Sequence, residues 1–419
     1  MIHQGDCLEV LKAMDANSLD ACVTDPPYGI GFMGREWDTF KPDDTPRRKN
    51  LRRESDNPNL RGRQRSPADT PSGIVYDFTA SGQRAFQAWC EAWGCEVLRV
   101  LKPGGYLVSF GAPRSSHRLV SGLEDAGFEI RDSLCWLFGS GFPKSLNLGD
   151  GRGTALKPAH EPIVLARKPL GGTVAATVAQ HGTGALNIDA CRIQGIQGDG
   201  HWSADDESDA TSRPGYEGGF TTGGQHSDLG RWPANVVLDE DAAAQLDAQT
   251  GELVSGDAPL VRRAPVFAAD IYGEFQGQSE CPPGRHANRG GASRFYYCAK
   301  PSREERDAGC EDLQPRTPGE CTDRQEGSAG ITPYAGAGRS GGGRNFHPTV
   351  KPIALMRWLV RLVTPPNGTV VDPFMGSGTT GAACLLEQRQ FVGIEREAEY
   401  VEIARRRIHA SAPLFAMED

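Results

Sequence analysis

The run Thr369-Val370-Val371-Asp372-Pro373-Phe374-Met375-Gly376-Ser377-Gly378-Thr379-Thr380-Gly381, TVVDPFMGSGTTG, decides the architecture. Its first residues are β-branched and end on an acid, the pattern of a short buried strand. Gly376-x-Gly378-x-x-Gly381 then opens a helical stretch, TTGAACLLEQ, and the next strand, QFVGIE, ends on Glu395, 19 residues after Gly376. A strand, a glycine turn, a helix N-terminus and an acid about 20 residues on form the fingerprint of an adenosine-bearing cofactor. Only 38 residues follow Gly381 in a chain of 419, enough for a helix, a strand and a final helix. A doubly wound sheet needs more strands, so they must come from the N-terminal half.

That half supplies them. IHQGD runs into Gly5-Asp6, CLEVLKAMD reads as a helix, and ACVTD is a second strand that stops at Asp25-Pro26-Pro27-Tyr28. Two prolines remove two backbone donors and forbid continuing the ladder. What remains is a rigid corner of acceptors, a carboxylate and carbonyl oxygens beside an aromatic ring, suited to a planar ligand that brings N–H donors. The chain is expected to enter the sheet in its middle, with the strands ending at Asp6 and Asp25 beside those ending at Asp372 and Glu395. Ligands bind at such carboxyl ends. An ordinary dinucleotide enzyme begins with its glycine loop and needs no proline-rich corner.

Further helices are expected over SGQRAFQAWCEAWGCEVLRVL, with Phe86, Trp89, Trp93 and Val97 as core, and over HRLVSGLEDAGF. LKPGG should end the first of these, and GYLVSFG, EIRDSLCWLF and EPIVLARK should be strands, the last two paired. From about Leu170 to Arg344 the pattern dissolves into Gly-rich, acidic and Pro-rich stretches; 52 Gly and 29 Pro are high for a compact enzyme. Helices return in PIALMRWLVRLV and EAEYVEIARRRI. The expected division is 1–34 and 75–170 as one half of the catalytic domain, 35–74 as a basic flexible insert, 171–344 as an inserted, irregular region, and 345–419 as the cofactor-binding half.

Net charge is −9, but its distribution matters more. Between Asp199 and Asp257 stand 13 acidic residues and two arginines, whereas Arg47 to Arg65 carries a net +6. A local basic arm is what phosphate attraction requires, and Arg47, Arg48, Lys49, Arg52 and Arg53 are candidate DNA contacts. RGGASRFYYCAKPSR adds Arg289, Arg294 and Lys300 interleaved with aromatics, a grip on backbone and bases or a strand with a solvated face. No apolar run is long enough to span a membrane, the N-terminus lacks a signal-peptide pattern, and eleven scattered cysteines without a C-x-x-C pair read as reduced, cytoplasmic thiols. No metal site is expected.

In combination and order, Gly5-Asp6, Thr24-Asp25-Pro26-Pro27-Tyr28, HPTVKP from His347, DPFMGSGTT from Asp372 and FVGIE ending at Glu395 resemble the β-class amino-methyltransferases of DNA. LCWLF and HEPIVLARK are similar to that family's final hairpin. The resemblance implies a circularly permuted Rossmann-like α/β sheet with an inserted, irregular target-recognition region. It implies S-adenosylmethionine as cofactor, double-stranded DNA as partner and a homodimer, and leaves a restriction-endonuclease partner open. By resemblance, the Asp25 carboxylate and Pro26 carbonyl would take both N–H bonds of an exocyclic amine, with Pro27 stiffening the corner and Tyr28 stacking on the base.

Also by resemblance, Gly376 and Gly378 would let the cofactor's amino-acid part approach, Asp372 and Phe374 would shape its pocket, and Glu395 would accept ribose hydroxyls. Asp6 would hold the adenine end, Ser377, Thr379 and Thr380 would offer hydroxyls and N–H groups to a carboxylate, and His347, Thr349 and Lys351 would close over the methionine moiety. The lesser alternatives are helix caps for Asp6 and Thr349 and a surface residue for His347. None of the cysteines follows a proline, which argues against thiolate-dependent C5 methylation. Asp before Pro-Pro-Tyr implies adenine-N6 chemistry, with cytosine-N4 or a non-DNA amine as the alternatives. Glutamine methyltransferases of release factors place the glycine loop first, the reverse of the order here.

Overall fold

The computed structural model describes residues 1–30, 38, 40, 79–141, 151–193, 230–255, 288–299, 303–316 and 343–411. Arg47, Arg48, Lys49, Arg52, Arg53 and Lys300 lie outside the described residues. The strands, in chain order, are β1 (Ile2–Gln4), β2 (Leu19–Thr24), β3 (Leu101–Phe110), β4 (Glu129–Leu137), β5 (His160–Arg167), β6 (Val236–Asp239), β7 (Leu253–Ser255), β8 (Asn288–Gly290), β9 (Tyr297–Ala299), β10 (Thr369–Asp372) and β11 (Gln390–Glu395). Nine of them form one sheet in the order β1-β11-β10-β2-β3-β5-β4-β6-β9, and β7 pairs with β8. In the large sheet only β5 runs antiparallel to its neighbours.

Side chains alternate across this sheet, as the period of two requires. Ala21, Val23, Tyr106, Val108, Phe110, Ile163, Leu165 and Val370 point to one face, where the helix Ile353–Val363 packs. Leu19, Cys22, Leu107, Val164, Ala166 and Val371 point to the other, against the helix Ala80–Val100. That helix buries Phe86, Cys90, Trp93, Val97 and Val100 at helical spacing, and Thr79 caps it by accepting from the Gly82 N–H. The result is a Rossmann-like three-layer α/β/α fold.

The order of strands sets the functional crevice. From β10 the chain moves to β11 through the helix Thr379–Leu386 on one face, and from β2 it moves the opposite way to β3 through Ala80–Val100 on the other. Right-handed crossovers running in opposite directions must use opposite faces, which leaves a gap between β10 and β2 at their carboxyl ends. The two motifs meet there: the Thr24 hydroxyl donates to Asp372 Oδ1 at 2.6 Å.

The structure departs from expectation in two places. The chain starts at the sheet's edge, not its middle: β1 pairs with β11, and the last two strands separate β1 from β2. Leu101–Gly105 ends the helix as expected, with Leu101 as its C-cap, and at the same time begins β3, turning at Gly104 (φ +77°). The region expected to be irregular adds β6 and β9 to the main sheet, parallel to β4, and a helix Glu240–Thr250 capped by Asp239. Among the described residues no helix is long and apolar enough to cross a membrane.

Candidate active site

The carboxyl ends of β1, β2, β10 and β11 open onto one cavity of about 610 Å³. Gly5 and Asp6, Asp25 to Tyr28, Asp372 to Ser377 and Glu395 all line it, so the residues singled out at both ends of the sequence share a single space. Thr379, Thr380, His347, Thr349 and Lys351 complete that set. Gly378 is not on the wall. It sits at φ +80° against the helix Ala398–Ser411, where a Cβ would come 2.9 Å from Ala404 Cα.

At the Asp25 corner the backbone is pinned on both sides. The Gly29 and Ile30 N–H groups donate to Asp38, and the Ser115 hydroxyl donates to the Tyr28 carbonyl. Both oxygens of Asp25 are engaged: the Tyr28 hydroxyl donates to Oδ1 at 2.7 Å, and Lys351 Nζ reaches Oδ2 at 2.6 Å. Tyr28 therefore faces the carboxylate with its hydroxyl, a contact the stacking role did not include. Lys351, expected over the cofactor's methionine end, is buried beside the Asp25 corner, with its ammonium 4.8 Å from the Phe110 ring centre. Burial alone would lower its pKa, but Asp25 and Glu161 outweigh burial and hold it above the ordinary lysine value. Burial and the same two carboxylates drive the Tyr28 phenol well up, so it stays a neutral donor.

The glycine loop is built around two acids. Gly376 adopts φ +53°, and its N–H donates to Glu395 Oε2 at 2.9 Å, while the Glu397 N–H donates to Oε1. Burial raises the Glu395 carboxyl, against the lowering effect of those N–H groups. Asp372 lies beneath the loop, where burial pushes it up to about 6 against hydrogen bonds from the Thr24 and Thr380 hydroxyls and the Phe374 N–H. The Phe374 ring packs against Trp89 and Trp93, and Trp89, expected in the core, also lines the cavity.

The three loop hydroxyls are not equivalent. The Thr380 proton goes to Asp372 Oδ2 at 2.6 Å. Ser377 Oγ and Thr379 Oγ1 each accept from Arg407 Nη1 at 3.0 Å, which leaves their own protons free to point into the cavity. Arg407 is 2 % exposed and has no carboxylate within salt-bridge distance among the described residues, and burial lowers its pKa to about 10. Nothing in the sequence marks it among the other arginines of the last helix.

Asp6 caps the helix Cys7–Lys12 by accepting from the Leu8 N–H, and also lines the cavity, so both readings of that residue apply. Among the described residues Thr349 caps no helix; the helix that follows is Ile353–Val363, with Pro352 at its N-cap. His347 Nδ1 lies 3.0 Å from the Thr349 carbonyl, and its ring meets Tyr400 edge-on. Burial pushes the imidazole down to about 4, so it is neutral at pH 7. Outside the cavity, Arg294 donates to the Gly290 and Gly291 carbonyls and stacks on Phe295, while exposed Arg289 pairs with Glu252. Tyr297 stacks on Trp358 and is part of the core packing. Glu161, at the start of β5, went unnoticed in the sequence; it sits 3.4 Å from Lys351 Nζ and 3.3 Å from the Tyr28 hydroxyl.

The sequence is 27% identical over 214 residues to Type II methyltransferase M.HindIII of Haemophilus influenzae, spanning 47% of this chain and 67% of that protein. It is 42% identical over 72 residues to Type II methyltransferase M2.MboI of Moraxella bovis, spanning 17% of this chain and 26% of that one. Among solved structures it aligns with the cytosine-N4-specific PvuII DNA methyltransferase at a TM-score of 0.45 and 14% identity, over 97% of this chain and 85% of that one. The profile of the N6/N4 DNA methylase family matches residues 19–172 and 292–406, which carry β2 and its Asp25 corner together with the glycine loop, and the chain belongs to that family.

Proposed function

We propose that this chain is a site-specific DNA methyltransferase that moves a methyl group from S-adenosylmethionine to the N6 amine of an adenine turned out of the duplex. The observation that carries the reading is the meeting of the Asp25-Pro26-Pro27-Tyr28 corner and the glycine loop in one cavity, joined through the Thr24–Asp372 hydrogen bond. The loop suits S-adenosylmethionine: Gly376 lines the cavity with bare backbone at φ +53°, and a Cβ there would also clash with His347 Nε2 at 2.7 Å. Glu395 and Asp6 supply acceptors for ribose and adenine donors, and Ser377 and Thr379 supply hydroxyl donors for a carboxylate.

When bound, S-adenosylmethionine supplies an electrophilic methyl group. The protein's task is to make an exocyclic amine nucleophilic, since its lone pair is delocalised into the ring. Asp25 and the Pro26 carbonyl take the two N–H bonds, favour a pyramidal nitrogen and free the lone pair, a geometric and electrostatic preorganisation. Reaching that nitrogen requires the base to leave the stack. Asp25 in place of the serine usual in cytosine-N4 relatives favours adenine. The test compares wild type with Asp25→Asn using methyl-labelled cofactor and mixed-sequence duplex DNA. The expected result is label in DNA from wild type only, with S-adenosylhomocysteine bound by both; transfer by Asp25→Asn at the wild-type rate refutes the assignment.

A further inference from the structure

In the cavity, the two donors that occupy Asp25 share a second acceptor. Lys351 Nζ lies 2.6 Å from Asp25 Oδ2 and 3.4 Å from Glu161 Oε2. The Tyr28 hydroxyl lies 2.7 Å from Asp25 Oδ1 and 3.3 Å from the same Glu161 oxygen. Glu161 comes from β5, where it pairs in register with Trp136 of β4, and both residues line the cavity. One buried ammonium thus stands between two carboxylates, closely bound to the one that must receive the substrate.

This arrangement poses a problem for the reading above. An incoming amine is a neutral donor, and charge-assisted hydrogen bonds are roughly twice as strong as neutral ones. It cannot displace a buried ammonium that has nowhere to go, because a buried charge stripped of its partner is strongly destabilising. The cation needs a second partner within a small movement, and among the described residues Glu161 is the carboxylate placed to be one. A shift of roughly 0.5–0.7 Å would bring both donors to ordinary hydrogen-bond length with it.

We propose that Glu161 is a positioning residue: it takes over the Lys351 ammonium when one N–H of the substrate amine replaces it on Asp25. The inference rests on the methyltransferase reading and deepens it. Glu161 touches neither cofactor nor methyl group; it acts through Lys351. A residue that merely neutralised Lys351 would affect stability and cofactor binding, whereas one that receives it affects turnover.

The experiment measures kcat, the KM for S-adenosylmethionine and the affinity for S-adenosylhomocysteine in wild type, Glu161→Gln, Lys351→Met and the double variant. Glutamine keeps the shape and a hydrogen-bond acceptor, so folding is preserved. The expected result for Glu161→Gln is a loss of kcat of about tenfold or more, with KM and product affinity within about threefold of wild type. In the Lys351→Met background there is no cation to hand over, and the same change should alter kcat by less than about threefold. Glu161→Asp should restore part of the lost turnover. Wild-type kcat in Glu161→Gln, or an equal loss with and without Lys351, overturns the handover while leaving the methyltransferase reading intact. A wild-type protein that transfers no methyl group overturns both.

Discussion

Replacing Gly376 by alanine tests the cofactor loop at its tightest point. The residue sits at φ +53°, and an added Cβ would lie 2.7 Å from His347 Nε2 and 2.9 Å from Cε1, where ordinary contact begins at 3.4 Å. Either the ring or the loop must retreat by roughly 0.7 Å, an overpacking cost of about 1–3 kcal/mol. The ring has little room, being held by the Thr349 carbonyl on one side and Tyr400 on the other. The left-handed backbone adds about 1 kcal/mol for any residue with a Cβ. A stability loss of about 2–4 kcal/mol follows, read by urea denaturation with tryptophan fluorescence.

Binding should suffer separately. Movement of the loop weakens the Gly376 N–H bond to Glu395, a charge-assisted contact of about 1.5–3 kcal/mol. The expected loss of S-adenosylhomocysteine affinity by titration calorimetry is about 10- to 100-fold. Wild-type affinity in a folded Gly376→Ala variant would refute the placement of the cofactor against this loop.

Arg407→Met removes the cation that engages the lone pairs of Ser377 and Thr379. Affinity for S-adenosylhomocysteine should fall about tenfold, while 5′-methylthioadenosine, which lacks the carboxylate, should bind within about twofold of wild type; calorimetry with the two ligands separates the outcomes. For His347, the folded-state value of about 4 lies below the unfolded 6.5, so on acidification the unfolded chain takes up the proton first and stability falls from about pH 6.5 to about pH 4. His347→Gln removes that dependence, so the stability advantage of wild type over the variant should shrink by about 3 kcal/mol between pH 7 and pH 4 in paired denaturation curves. The difference measurement cancels Asp372, whose raised value acts with the opposite sign, its contribution being greatest at low pH and falling as pH rises through about 6.

Much of the fold was legible because its signals are long or chemically unusual. Strands such as Leu19–Thr24 and Gln390–Glu395 are apolar runs bounded by turns, and the helix Ala80–Val100 buries residues at 3.6-residue spacing. What escaped was short or set by distant partners. Val236–Asp239 and Tyr297–Ala299 are too brief for periodicity, and they become strands by pairing with β4 and with each other. The edge position of β1 depends on three residues pairing with β11 from the far end of the chain.

The site divides in the same way. Its motif residues could be named from the sequence because proline and glycine constrain the backbone wherever they occur. Lys351 is marked by its motif, but its 2.6 Å approach to Asp25 is not, since a sequence carries no measure of contact between residues 326 positions apart. Glu161 sits 133 positions from Tyr28, and Arg407 sits 30 from Ser377, in segments whose local pattern is that of an ordinary strand and an ordinary amphipathic helix. Hydroxyl roles in the loop also needed coordinates: only the partners of Thr380, Ser377 and Thr379 distinguish which protons are free.

The central claim is that the Asp25 corner holds the amine of adenine. The most direct measurement is methylation of mixed-sequence duplex DNA with methyl-labelled S-adenosylmethionine, followed by digestion to nucleosides and separation of the labelled product. The account predicts label in N6-methyladenine, absent from Asp25→Asn. Label in N4-methylcytosine would contradict the base assignment, and label in 5-methylcytosine would contradict the chemistry of the corner itself.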